Sequence, residues 1–167
     1  TVASGKGGVG KTWFASTLCH ALSLKGKKSL LFDCDFGLAN VDIQLGLIPD
    51  QNLGQVISNE IKLADAIYPQ SESGLIFDVI SGQSGSGALA SLKMERLLDL
   101  ATSISNLAQT YDYTIMDLGA GVENSVMTLA RASDKIIVII TPDPTSLTDA
   151  YAFIKLYNMR NKGAGIQ

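Results

Sequence analysis

The 167-residue sequence is poor in the residues that staple, kink or carry acid–base chemistry: 2 Cys, 4 Pro, 1 His and 1 Trp. Two cysteines, Cys19 and Cys34, close at most one bridge, so the chain is no disulfide scaffold. They are expected to be buried as small hydrophobes. No apolar run approaches the roughly 18 residues that a bilayer span needs, and no leader or lipidation motif opens the sequence. The expected compartment is the cytoplasm. Basic residues are also short, 13 Lys+Arg against 16 Asp+Glu for a net charge of −3. A non-specific nucleic-acid binder advertises the opposite balance, so DNA or RNA is not the expected partner. His20 has no acid or nucleophile at a useful spacing and reads as a packing or surface residue.

What remains is 46% hydrophobic and 17% charged, with 16 Gly, a globular composition long enough to bury a core. Residues 1–167 read as one domain cut at both ends. Thr1-Val2-Ala3-Ser4 looks like the last half of a strand, and residues 162–167 like a turn opening another. Between them, short apolar runs alternate with helix-period segments. Residues 29–32 lead into Asp33, 75–80 into Ser81-Gly82, 113–116 into Asp117, and 135–140 into Thr141-Pro142. Near-continuous apolar runs suit strands buried on both faces. Met94, Leu97, Leu98, Ala101, Ile104 and Ala108 fall on one helical face, as do Leu147, Ala150, Tyr151, Ile154 and Tyr157. Residues 12–24 are helical and apolar almost all round, with Trp13 and Phe14 expected to pack that helix onto a sheet. The pattern predicts an α/β fold, a mostly parallel twisted sheet with helices on both faces. Ligands in such sheets sit beyond the carboxyl ends of the strands.

One motif stands there in full. Gly5-Lys6-Gly7-Gly8-Val9-Gly10-Lys11-Thr12 fits the phosphate-loop pattern G-x-x-x-x-G-K-[ST], with a strand before it and a helix after it. Glycines let backbone N–H groups turn inward as an anion nest, and the helix start adds positive potential. Lys11 would reach the β- and γ-phosphates and the Thr12 hydroxyl would ligate Mg²⁺. Two acidic stations follow strands. Asp33 and Asp35 lie two apart, so their side chains share a side. Carboxylates that close repel unless a cation lies between them. Asp117, in Asp117-Leu118-Gly119-Ala120-Gly121, has the Walker B placement, and Gly119 and Gly121 supply a hinge able to sense a γ-phosphate.

Lys6 is a second lysine inside the loop, which a plain phosphate loop does not need. With Lys-Gly-Gly-Val-Gly-Lys-Thr in place, the sequence resembles the deviant phosphate-loop ATPases of the MinD/ParA family over essentially its whole length. The resemblance implies ATP and Mg²⁺ as ligands, slow regulatory hydrolysis, and a nucleotide-sandwich homodimer in which Lys6 crosses to the partner's nucleotide. It further implies that Asp33 and Asp117 support the metal with Thr12, that Asp35 positions the attacking water, and that Asn40 closes over the γ-phosphate across the dimer. Asp42 is read as solvated or capping.

Three stretches point to a branch. Asp35-Phe36-Gly37-Leu38-Ala39-Asn40-Val41-Asp42 and Leu45-Gly46-Leu47 are MinD-like. Thr141-Pro142-Asp143-Pro144-Thr145-Ser146 is similar to the segment of flagellar-number regulators of the FlhG/FleN type, with Asp143 where those carry Glu. Here Thr145 or Ser146 is expected to cap the following helix. Ser81-Gly82-Gln83-Ser84-Gly85-Ser86-Gly87 reads either as a mobile linker or as a loop near the nucleotide or dimer face. That branch implies a protein partner, a flagellar GTPase or a polar component. It also implies peripheral contact with the inner face of the membrane through a C-terminal segment outside these residues. A DNA-segregation ATPase of the ParA type and an ATP-dependent amide-forming enzyme of the same fold remain as rivals. Lys25-Gly26-Lys27-Lys28 is expected to be a solvated turn.

Overall fold

In the computed structural model, which describes residues 1–35, 37, 39–82 and 92–160, every expected apolar run contributes a strand. β1 (Val2–Ala3), β2 (Ser29–Cys34), β3 (Asp78–Ile80), β4 (Tyr113–Leu118) and β5 (Ile137–Val138) form one sheet. Its order is β3-β2-β4-β1-β5, and every pairing is parallel. The central strands run two residues further than their apolar stretches, so Asp33 and Asp117 lie inside β2 and β4. The edge strands are shorter than expected because each has a parallel partner on one side only. The outer edge of β3 is closed by Tyr68, which exchanges backbone hydrogen bonds of 2.7 and 3.0 Å with Val79. The serine–glycine residues 83–87 and the stretch 162–167 lie outside the described residues.

Alternation along the strands sorts the core into two layers. Leu31, Ile115, Val2 and Val79 face α1 (Lys11–Leu24) and α2 (Val41–Leu45), packing on Ala15, Cys19 and Val41. Leu30, Phe32, Cys34, Met116, Leu118 and Ile80 point the other way, as a period of two requires. They meet α3 (Leu53–Ile57), α5 (Met94–Ala108), α6 (Asn124–Arg131) and α7 (Pro144–Arg160), with a 3₁₀ turn at Leu63–Ala66. A short α4 (Gln70–Ser73) precedes β3. The free cysteines are buried on opposite faces, as small hydrophobes. Each fully buried Leu or Phe in these layers contributes about 1.5–3 kcal/mol relative to exposure. α3 begins with a reciprocal cap, Asn52 accepting from the N–H of Gly54 and Gln55 while Gln55 accepts from the N–H of Asn52. Among the described residues no helix is long and apolar enough to cross a membrane.

Three expectations about helix faces are corrected. α7 buries Ser146, Ala150 and Phe153, whereas Leu147, Tyr151 and Ile154 of the expected stripe are exposed. The cap of α7 is neither Thr145 nor Ser146 but Asp143, whose Oδ1 accepts from the Thr145 N–H at 2.9 Å. Pro144 then occupies the first helical position, where its missing N–H is no loss, and Ser146 Oγ instead accepts from the Thr141 N–H at 3.1 Å. Within α1 the sheet-facing stripe is Lys11, Ala15 and Cys19, and Phe14 packs at its edge. Trp13, two residues or about 200° round from Lys11, is 64% exposed. On α5, Leu97, Ala101 and Ile104 are buried as expected, but Met94 and Leu98 are exposed. The basic turn is solvated only in part, because Lys28 Nζ donates to the Thr110 carbonyl at 3.0 Å and covers the Tyr111 ring.

Candidate functional site

The glycine loop leaves β1 and enters α1 through a left-handed turn. Gly10, the residue capping α1, has φ 94°, a region that side-chain-bearing residues avoid. No side chain caps this helix and no acid occupies its first turn. Its first N–H groups are therefore left for an anion, the geometry that binds phosphate at helix starts. The loop entry is pinned by Ser4 Oγ, which donates to the Lys6 carbonyl at 2.6 Å. From the other side, the Gly121 N–H donates to the Ser4 carbonyl at 3.0 Å, joining the loop after β4 to the phosphate loop.

The acids are set by strand register. Asp33 and Asp117 are direct neighbours across the β2–β4 ladder, both on the α1 face and only 0% and 1% exposed. Asp33 is used almost entirely by backbone. Its Oδ1 accepts from the Asp35 N–H at 3.0 Å, and its Oδ2 accepts from Asn40 and Val41 at 3.0 and 3.1 Å. This carboxylate ties the ends of the 35–41 loop to the sheet. Burial pushes its pKa up to about 7; the three N–H donors oppose the rise and the Asp117 charge adds to it. Burial also lifts Asp117, to about 6, against the pull of the Thr12 hydroxyl and the Lys11 ammonium.

Among the described residues Asp117 Oδ1 is buried with no hydrogen-bond partner, an arrangement that costs about 1–3 kcal/mol unless something fills it. An unpaired oxygen beside the Thr12 hydroxyl and close to Asp35 suits a hard cation. Among the described residues no three His, Cys, Asp or Glu side chains converge on a point. The rest of a Mg²⁺ shell would thus come from phosphate oxygens and water, as is usual for this ion.

The loop, Asp35 and the Gly119-Ala120 turn that follows Asp117 open on one cavity of about 570 Å³, with the buried Asp33 and Asp117 behind its lining. Gly7, Gly8, Gly10, Lys11, Thr12, Asp35, Asn40 and Gly119 line it, along with Trp13, Gln44 and Glu123. Gly5 and Val9 shape the loop from outside this cavity. Asp42 sits in the first turn of α2, its carboxylate accepting from the Ile43 N–H at 2.8 Å. Lys6 points elsewhere. Its ammonium pairs with Asp143 Oδ2 and donates to Thr145 Oγ1 at 2.7 Å. The Lys6 hydrogen bond, then those from Thr145, hold the Asp143 carboxyl at about 2. Sequence reasoning noticed Asp143 only as a departure from Glu. An acid directly before Pro-Thr at a helix start was the available signal for a capping role. Nothing in the sequence said that the same carboxylate also holds Lys6.

The AAA domain family matches residues 1–162. The flagellum site-determining protein YlxH of Helicobacter pylori is 37% identical over 161 residues, 96% of this chain and 53% of that protein. The antiactivator FleN of Pseudomonas aeruginosa is 36% identical over 157 residues, 94% of this chain and 55% of its own length. The chain thus spans about half the length of these relatives. Among solved structures, the septum site-determining protein MinD of Pyrococcus horikoshii, in complex with Mg-ADP, superposes with a TM-score of 0.82. It is 27% identical, over 95% of this chain and 64% of that one. With the phosphate loop, its second lysine and the paired strand-end acids in place, the chain belongs to the AAA domain family, among the P-loop ATPases of the MinD/ParA type that include FleN and YlxH.

Proposed function

We propose that the chain works as an ATP-dependent dimerisation switch that sets the number or placement of flagella through a protein partner, a flagellar GTPase or a polar component. Lys6 carries this reading. The loop already has Lys11 for its own nucleotide, while Lys6 rests outside the cavity on Asp143 and Thr145. A half-exposed ion pair of that kind contributes little to stability. The lysine therefore exchanges Asp143 readily for the denser charge of a triphosphate held by a second copy of the chain.

Within one protomer, the loop amides and Lys11 bind the phosphates, while Thr12 and Asp117 would hold Mg²⁺. Asp33 supports that site at one remove, by ordering the loop that carries Asp35 and Asn40. Asp35 orients the attacking water, and Asn40 closes over the γ-phosphate across the dimer. When bound, Mg²⁺ would supply neutralisation of the phosphate charge. Hydrolysis removes the γ-phosphate and returns the protein to monomer, so slow turnover sets the lifetime of the signal.

The test is the light-scattering mass of the Asp35→Ala protein with Mg·ATP and with Mg·ADP. A dimer with ATP alone, abolished by adding Lys6→Ala, is the expected result. A monomer under both conditions, with ATP binding confirmed by calorimetry, would overturn the switch.

A further inference from the structure

We propose that Trp13 is a nucleoside contact, its indole stacking on the base of the nucleotide whose phosphates fill the glycine loop. This rests on the reading of that loop as a nucleotide site. Trp13 is the only tryptophan in the sequence, and the packing of α1 does not need it, since the helix meets the sheet through Lys11, Ala15 and Cys19. Left 64% exposed, it nonetheless lines the same cavity as Gly8, Gly10, Lys11 and Thr12. Helical side chains lean back toward the helix start, which for the third residue of α1 means back over the mouth of the phosphate loop.

The division of chemistry in the cavity indicates what the indole meets. Charge recognition is complete without it: backbone amides and Lys11 serve the phosphates, Thr12 and Asp117 serve the cation, and Asp35 serves the attacking water. The rest of a nucleotide is a sugar and a flat aromatic base. An exposed indole one residue from Thr12, at the end of the phosphate loop, offers a large π-face and a single N–H donor. Stacking of this kind tolerates any base, because every base has a π-face. Trp13 therefore adds affinity for nucleosides over bare phosphates, without choosing between adenine and guanine.

Calorimetric binding of Mg·ADP and of Mg·pyrophosphate to wild type, Trp13→Ala and Trp13→Phe tests the assignment, with ADP used so that dimerisation does not enter. Trp13→Ala should bind ADP roughly tenfold or more weakly and pyrophosphate as wild type does, while Trp13→Phe keeps most of the ADP affinity. Tryptophan emission should change with ADP and not with pyrophosphate. An unchanged urea midpoint for Trp13→Ala is the folding check, because the side chain is exposed.

ADP affinity within twofold of wild type in Trp13→Ala would overturn the proposal and leave the nucleotide site standing. Equal losses for ADP and pyrophosphate would also overturn it, since the indole would then be shaping the loop. Normal ADP binding with loss of the ATP-dependent dimer would reassign Trp13 to the interface between copies. Wild type binding neither ligand would sink the nucleotide-site reading itself.

Discussion

Gly5 offers a sharp physical test because its environment differs so much from that of Gly7, two residues away in the same loop. A Cβ built on Gly5 would overlap the backbone of Asp149 in α7 and lie 2.5 Å from its Cβ. That is about 1 Å inside ordinary carbon contact, and backbone cannot swing aside as a flexible side chain does. Gly5→Ala must therefore push α7 away by about 1 Å, loosening Phe153 and Ala150 in the core. Overpacking of this kind costs about 1–3 kcal/mol. With a urea slope of about 2 kcal/mol/M, a loss of about 2 kcal/mol lowers the midpoint by about 1 M. The melting temperature should fall by about 4–8 °C. A Cβ on Gly7 would meet nothing within 4 Å, and Gly7→Ala should stay within about 0.5 kcal/mol of wild type. Urea melts of the two variants decide the matter. Equal stability for Gly5→Ala and wild type, or equal damage from both substitutions, would refute the close packing of α7 against the loop.

Lys11→Ala should abolish ATP binding in calorimetry, and wild-type affinity in that variant would remove the phosphate-loop assignment. Asp33→Asn places an amide NH₂ against at least one of the backbone donors at Asp35, Asn40 and Val41. The opening free energy of the loop should drop by about 1–3 kcal/mol. Hydrogen exchange at Asn40 and Val41 should accelerate accordingly, and unchanged protection there would show that the loop is held by something else. Asp143→Asn keeps the α7 cap, since Asn caps as well as Asp, and should preserve the urea midpoint although it dissolves the Lys6 ion pair. Asp143→Ala should lower that midpoint. Identical midpoints for the two variants would refute the capping role.

The parts of the fold that could be read from the sequence share one property, that neighbouring residues agree with each other. β2 and β4 are buried on both faces, so Leu30-Leu31-Phe32 and Ile115-Met116 declare themselves without a partner in view. The loop is legible because glycine spacing, the two lysines and Thr12 form one unbroken string. The buried face of α7 is not legible in the sequence because its apolar residues surround most of the helix, and a period of 3.6 cannot choose among several apolar stripes. Contacts distant in sequence made that choice. Gly5 lets Asp149 approach closely, and Ser146 accepts from Thr141, so the buried stripe runs through Ser146, Ala150 and Phe153. Trp13 failed for a related reason, since an aromatic in an apolar helix reads as core until the sheet-facing stripe is located. The direct adjacency of Asp33 and Asp117 needed the ladder register, which no local pattern encodes.

Asp143 gives one oxygen to the Thr145 amide and hydroxyl and the other to the Lys6 ammonium. The two duties are separable. If the ammonium departs, as the proposed switch requires, the first oxygen keeps the start of the helix wound, so the vacated oxygen stays aimed where it was. A seat on a loop would collapse once empty and would have to be rebuilt before the lysine came back. This seat persists, so leaving and returning differ only by the contacts of the ammonium with Asp143 and Thr145, with no refolding between them. In the switch proposed above, reversal would then be as fast as a side chain rotates, and the timing of a full cycle would fall to the chemistry at the phosphates.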